Sequence, residues 1–282
     1  MNWIELDHKQ VLSILPDRLP ETHKGDYGKV LLLCGSRGYT GAAYLAAMGA
    51  LRSGAGLVFL GVPESIYAIE AVKLNEAIVF PLPDEDGKLS EKAIPEILER
   101  LSKMDAVLIG PGLGQSEGIY RVVEAVLQQA QCPVVLDADG INVVAAHMDI
   151  LRKRTAPTIL TPHAGEFARL GGVMEAGRQI AAENMAEDLG CVMLLKGSGT
   201  VITDGSTTYI NPTGNPGMAV GGSGDVLAGM ITALLGQGIS ALESAACGAW
   251  LHGAAGDICA EEIGQYGMLP TDMLAVLPRL LK

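Results

Sequence analysis

The chain has 282 residues, 49% of them hydrophobic, and a formal charge of −12 from 32 acidic and 20 basic side chains. That length and apolar content supply a substantial core, and residues 1–282 read as a single domain. The acidic balance argues against a nucleic acid or an anionic membrane as partner, since both need clustered Lys and Arg; a small phosphorylated ligand, held by backbone amides and one lysine, stays compatible with it.

Glycine, at 36 residues, stands well above its roughly 7% average, which suits many tight strand-to-helix turns. The five cysteines, Cys34, Cys132, Cys191, Cys247 and Cys259, form no Cys-x-x-Cys pair. They read as reduced thiols of a cytoplasmic protein. The first twenty residues carry Glu5, Asp7, Lys9, Asp17 and Arg18 in place of an apolar run, so no secretory leader is expected. The most apolar window, Ala42 to Val62, is interrupted by Arg52 and glycines, and no membrane span is expected.

Taken in chain order, continuous apolar runs bounded by turn residues predict strands at Val30–Cys34, Leu57–Gly61, Ala77–Phe80, Ala106–Ile109, Val134–Leu136, Thr158–Leu160 and Val192–Leu195. Between them, helical spacing predicts helices at Ala42–Ser53, Glu91–Leu101, Gly118–Gln129, Ile141–Ala146 and Ala176–Leu189. The alternation gives an α/β fold with a mostly parallel sheet covered by helices on both faces. Thr200–Thr203 and Thr207–Ile210, joined by Asp204-Gly205-Ser206, predict an antiparallel hairpin. Helices at Val226–Leu235, Leu242–Glu261 and Thr271–Leu281 close the chain.

Ligands of open α/β sheets gather at the carboxyl ends of strands, so the segments after each strand hold the candidates. Gly35-Ser-Arg-Gly-Tyr-Thr-Gly41 lacks both the dinucleotide spacing and a Walker lysine; it reads as a pocket wall, with Thr40 capping the next helix and Gly41, Ala42 and Ala43 allowing close approach. Gly110-Pro-Gly-Leu-Gly114 either admits a ligand or makes only a tight turn. Asp137 and Asp139 could assist a hydrated Mg²⁺ or cap the following helix. His163 could hydrogen-bond a ligand from its turn, and Glu166 could organise Mg²⁺ through water or serve the helix dipole. Lys196-Gly-Ser-Gly-Thr200 leaves a buried strand, so its amides and ammonium could hold nucleotide phosphates.

The richest stretch follows. Asn211-Pro-Thr-Gly-Asn-Pro-Gly-Met-Ala-Val-Gly-Gly-Ser-Gly-Asp225 sets one carboxylate in a glycine-rich turn that opens an apolar helix. Backbone N–H groups of Gly222, Ser223 and Gly224 can stabilise charge there while Asp225 acts as a base. The bland alternative is that Asp225 only caps a buried helix.

Three segments carry a family resemblance: Thr161-Pro-His-Ala-Gly-Glu-Phe-Ala-Arg-Leu170, Lys196-Gly-Ser-Gly-Thr200 and Gly214-Asn-Pro-Gly-Met-Ala-Val-Gly-Gly-Ser-Gly-Asp225. They resemble the signatures of ADP-dependent NAD(P)H-hydrate dehydratases, relatives of the ribokinase-like carbohydrate kinases. Gly-Asp-Tyr-Gly-Lys29 and Tyr39-Thr-Gly-Ala-Ala43 also fit, and the family's usual Thr is Ser223 here. The resemblance implies a ribokinase-like three-layer αβα sandwich. It also implies an activity in which ADP phosphorylates the hydroxyl of the S-epimer of a nicotinamide hydrate at C6, and loss of phosphate restores NADH or NADPH with release of AMP.

Carried over by position, the resemblance assigns Lys196, Gly197, Ser198, Gly199, Thr200 and Gly224 to the adenine nucleotide. Ala42 or Ala43, Gly112 or Gly114, His163 and Asp225 are assigned to the hydrate. Asp225 is the implied base, with Mg²⁺ as cofactor. A homo-oligomer, as a tetramer, and a separate epimerase partner are further implications, since the chain is too short for the epimerase domain of bifunctional members. A ribokinase-like small-molecule kinase of the hydroxymethylpyrimidine or thiazole type would stop at the phosphorylated product, and a nucleotide sensor would not turn over at all.

Overall fold

The structure, a computed structural model, describes residues 3–281. Its strands in chain order are β1 (Lys29–Leu33), β2 (Leu57–Pro63), β3 (Ile78–Leu82), β4 (Asp84–Glu85), β5 (Lys88–Leu89), β6 (Ala106–Ile109), β7 (Val134–Leu136), β8 (Thr158–Leu160), β9 (Val192–Leu195), β10 (Val201–Thr203) and β11 (Thr208–Ile210). Its α-helices are α1 (His8–Ile14), α2 (Thr40–Arg52), α3 (Glu64–Lys73), α4 (Ile94–Leu101), α5 (Glu117–Gln129), α6 (Asp139–Val144), α7 (Asp149–Arg152), α8 (Ala164–Arg169), α9 (Arg178–Leu189), α10 (Ser223–Gly236), α11 (Ala241–Glu262) and α12 (Pro270–Leu280).

Nine strands form one sheet in the order β11-β10-β9-β8-β7-β6-β1-β2-β3, and β4 and β5 pair separately as a small hairpin. From β9 through β3 all neighbours run parallel; β10 and β11 are the antiparallel additions. The strands are apolar throughout because both faces are covered. In β1, Leu31 and Leu33 join a core with α4, α5, α8 and α9, while Val30 and Leu32 join one with α2, α10 and α11. The expected three-layer α/β arrangement with a mostly parallel sheet is therefore what forms.

Helices α2 and α10 approach each other very closely. A Cβ placed on Gly229 would lie 2.0 Å from the Ala46 carbonyl oxygen, and one on Gly49 would lie 2.4 Å from that of Val226. Only glycine at those two points lets the backbones meet. On their outer side, Val226, Met230 and Leu234 of α10 pack with α1, α11 and α12.

The expected strands all appear, with ends shifted by up to two residues. Helix α3 was not anticipated from the sequence, and α10 starts three residues before the expected Val226. The five cysteines are unpaired, and all but Cys132 are buried. No helix among the described residues is long and apolar enough to cross a membrane.

Candidate functional site

The strand order brings five chain segments side by side at one edge of the sheet. Gly35, Gly110, Asp137, Thr161 and Lys196 follow β1, β6, β7, β8 and β9, which are consecutive neighbours. The order reverses between β1 and β6, the position at which open α/β sheets bind their ligands.

Asp137 anchors the middle of this edge. Its carboxyl is buried, accepting from Thr161 Oγ1 and Lys196 Nζ, each at 2.8 Å. Glu166 Oε2 stands 3.9 Å from the same ammonium. Burial works against the Lys196 cation, but Asp137, Glu166 and Asp225 together outweigh it and raise the lysine's pKa. Arg178 donates to the Leu195 and Lys196 carbonyls at 2.9 and 3.1 Å, fixing the strand end from which the lysine projects. Lys196 is thus an enclosed, paired cation and not a solvated one.

Helix α10 brings the opposing wall. Gly222 is its N-cap at φ +97°, a left-handed conformation that side chains disfavour, and Ser223, Gly224 and Asp225 form its first turn. The amides of Gly222, Gly224 and Asp225 find no acceptor among the described residues, whereas that of Ser223 reaches the Val220 carbonyl at 3.4 Å. A Cβ on Gly224 would lie 3.4 Å from Lys196 Nζ, so turn and ammonium are neighbours.

The Asp225 carboxyl makes no hydrogen bond to any described residue, and Gly222 holds the N-cap position, which removes the simple capping role considered for Asp225. Burial, with Asp137 and Asp139 adding repulsion against the opposing pull of Lys196, pushes its carboxyl up to about 6. Such a carboxyl is ionised above about 6 yet binds a proton more readily than an ordinary aspartate, as a general base needs. The helix dipole at the same point favours an anion beside it.

The remaining positions line the flanks. Ala43 is fully buried beneath Gly35, while Ala42 faces Gly112: a Cβ on Gly112 would lie 2.8 Å from that of Ala42. The Gly114 amide donates to Asp139 Oδ2 at 2.8 Å, and Lys88 of the β4–β5 hairpin lies over Gly114. Asp139 is the first residue of α6 and caps nothing with its side chain; the N-cap is Ala138, held at φ +50° and ψ −117°. Thr40 likewise sits inside α2, and its expected capping bond is absent because Tyr39 holds the N-cap position.

His163 and Glu166 form a reciprocal capping box on α8. Nδ1 of His163 accepts from the Gly165 and Glu166 amides, and Glu166 Oε2 accepts from the His163 amide at 2.9 Å. The imidazole's other nitrogen, 3.4 Å from Glu166 Oε1, lies on a half-exposed ring. The Lys196–Thr200 segment is the turn between β9 and β10. Thr200 Oγ1 closes it on Gly197, and the exposed Ser198 and Gly199 keep amides without acceptors among the described residues.

Asp137, Glu166 and Asp225 stand around one lysine, with Asp139 acting on Asp225, so carboxylates outnumber the cation. Among the described residues no three acidic, histidine or cysteine side chains come together as a metal cage. With no cage to replace its water shell, a divalent cation here would be held through water by these carboxylates. Two cavities of about 630 and 690 Å³ lie elsewhere, one along α5 to α7 and one beside Arg18, and neither touches this cluster.

Two groups were invisible to sequence reasoning. His252 of α11 is buried, its Nε2 3.4 Å from Ser223 Oγ, and burial pushes it down to about 4, so the imidazole is neutral. Asp257 of the same helix binds the Gly214–Asn215 backbone and side chain. Both act on partners some 30 to 40 residues distant, and neither stands in a motif of recognisable spacing.

A family model described as NAD(P)H-hydrate dehydratase matches residues 30–279. The bifunctional NAD(P)H-hydrate repair enzyme Nnr of Moorella thermoacetica is 46% identical over 278 residues, spanning 96% of this chain and 52% of the relative. The chain thus spans about half the length of such bifunctional relatives. The ADP-dependent (S)-NAD(P)H-hydrate dehydratase of Bacillus subtilis is 38% identical over 286 residues, covering 99% of this chain and 97% of its own. A crystal structure of the ADP/ATP-dependent NAD(P)H-hydrate dehydratase from Bacillus subtilis, co-crystallised with ATP/Mg²⁺, superposes with a TM-score of 0.84 at 34% identity, over 99% of this chain and 98% of that one.

Proposed function

The chain belongs to the NAD(P)H-hydrate dehydratase family, and on that premise we propose that it dehydrates the S-epimer of hydrated NADH or NADPH in an ADP-dependent reaction. The observation that carries this reading is the Asp225 carboxyl, free of hydrogen bonds and raised to about 6, beside amides with open donors at the start of α10. Asp225 removes the proton of the C6 hydroxyl as its oxygen bonds to the terminal phosphorus of ADP and AMP departs. The amides of Gly222 and Gly224, with the Ser223 hydroxyl, hold the charge that grows on the transferred group.

The C6–O bond then breaks with phosphate as the leaving group, a far better one than hydroxide, and C5 gives up a proton to the departing phosphate or to water, so that the C5–C6 double bond of the reduced nicotinamide is restored. Lys196 and the Gly197–Thr200 turn hold the adenine nucleotide's phosphates through the ammonium and the open amides. Ala42, Gly112, Gly114 and the outer nitrogen of His163 line the hydrate's side. Asp137, Glu166 and Asp225 would hold a hydrated Mg²⁺ through water. When bound, that ion neutralises phosphate charge.

The organisation follows as part of the same reading: one catalytic domain, working as a homo-oligomer in the cytoplasm. An epimerase acts as a separate or fused partner. Incubation with hydrated NADH and ADP tests the reaction, with return of the absorbance of reduced nicotinamide as the expected result. A stable phosphorylated hydrate would instead assign a kinase, and nucleotide binding without turnover by any phosphoryl donor would assign a sensor.

A further inference from the structure

One face of α11 is moulded to the segment that leads into the anion turn. Asp257 accepts from the Gly214 amide at 2.9 Å and from Asn215 Nδ2 at 3.0 Å. Asn215 Oδ1 in turn accepts from the Gly217 amide at 2.9 Å, fixing the short 3-10 turn Pro216–Met218. Two turns earlier on the helix, the Ala249 and Trp250 carbonyls accept from Asn211 Nδ2 at 3.2 Å and Thr213 Oγ1 at 2.9 Å.

Positions 249, 253, 256 and 257 share one side of a helix by their spacing. The two glycines among them let the segment sit against the backbone: a Cβ on Gly253 would lie 2.2 Å from Thr213 Oγ1, and one on Gly256 2.4 Å from Met218 Sδ. The chain then passes through Val220, whose amide donates to the Met218 carbonyl at 2.9 Å, directly into Gly222 and the first turn of α10. Any shift of the 3-10 turn is therefore handed to the amides that face the phosphoryl group.

We propose that Asp257 and Asn215 are a positioning pair that sets the place of the Gly222–Asp225 turn, so that the phosphoryl-transfer step, and not nucleotide binding, depends on their hydrogen bond. This inference rests on the dehydratase reading above. Displacing a reacting group by about 1 Å can cost on the order of 100-fold in rate. Of the residues assigned to the nucleotide only Gly224 lies in the segment the pair controls; Lys196–Thr200 lie on the β9–β10 turn, outside it.

The bond's polarity can be reversed without changing its shape. Asp257→Asn keeps an acceptor for the Gly214 amide but sets two amide NH₂ groups face to face, and Asn215→Asp sets two carboxylates face to face. In the double variant, the new side-chain amide on α11 would donate to the new carboxylate facing it, which still accepts from the Gly217 amide. Turnover of hydrated NADH with ADP, the KM for ADP and the melting temperature are measured for all four proteins.

Each single variant is expected to lose at least about tenfold in kcat with KM for ADP within about twofold, and the double variant to return to within about threefold of wild type. Single variants that match an active wild type overturn the positioning role. So does a double variant that regains its melting temperature but not its kcat, since that separates stability from positioning. A wild type without turnover overturns the dehydratase reading itself, and this inference with it.

Discussion

At the scale of single residues the site is governed by one unpaired carboxylate. With Asp225 raised to about 6, its basic form prevails only above that pH. The kcat/KM profile is expected to fall as pH drops through about 6 and to level off above it. Asp225→Asn should lose roughly 10²- to 10⁴-fold in turnover, the usual worth of a general base, while still binding ADP by calorimetry. Unchanged turnover would remove Asp225 as the base.

The same carboxylate bears on stability. An unfolded aspartate releases its proton near 3.9, so the folded protein holds this proton across the interval from about 4 to 6. Its stabilising contribution is fully present below that interval and lost as pH rises through it. At neutral pH the Asn variant should therefore be more stable than wild type, by about 1–2 kcal/mol once partial exposure is allowed for. Lys196→Met works in the other direction. It strands Asp137, which is 1% exposed, and removing one partner of such a pair costs on the order of 3 kcal/mol. Asp137→Asn added to that variant should recover part of the loss in a urea titration.

At the scale of elements, backbone geometry carries the predictions. Ala138, between Asp137 and Asp139, sits at φ +50° and ψ −117°, a region that only glycine occupies without strain. Ala138→Gly should raise the unfolding free energy by about 1 kcal/mol. Gly229→Ala should lower it by more than about 2 kcal/mol, because its new methyl meets the Ala46 carbonyl. Opposite signs for two glycine–alanine exchanges would distinguish strain relief from overpacking in a single denaturation experiment.

The parallel strands were legible because each is a short, mostly apolar run, and both faces of β1, β2 and β6 to β9 are covered; the Asp-Glu and Lys-Leu pairs of β4 and β5 carry no such run and were not anticipated. Helix α3 was not, since within it only Ile66 and Glu70 are buried and no apolar stripe forms. Around the site, the chain positions of Asp225 and Lys196 could be read from local turn chemistry. Their convergence needed the strand order, which single-sequence periodicity does not encode. The Asp139 and Thr40 caps failed for a local reason: each helix begins one residue earlier than the side-chain argument supposed. His252 and Asp257 lie in an Ala- and Gly-rich helix whose pattern says only that it is buried.

At the scale of the whole molecule, ligand linkage offers a further check. A nucleotide that binds only the folded state at about 100 times its dissociation constant adds about 2.7 kcal/mol. ADP with Mg²⁺ is expected to raise the melting temperature, and a chelator to reverse most of the gain if the ion bridges phosphate to the carboxylate cluster. An ADP-induced rise that is indifferent to the chelator would remove the ion from the site.

The tight crossing of α2 with α10 joins segments separated by more than 170 positions in the chain. During vectorial synthesis, β1, β2 and β6 emerge long before the helix that covers Val30, Leu32, Leu60 and Leu108 on one face. A ribosome-bound chain that stops short of Gly222 must expose that apolar surface to whatever is nearby. Chaperone occupancy on the nascent chain should therefore persist until α10 has cleared the exit tunnel, and the catalytic turn becomes complete in the same late event that hides the sheet.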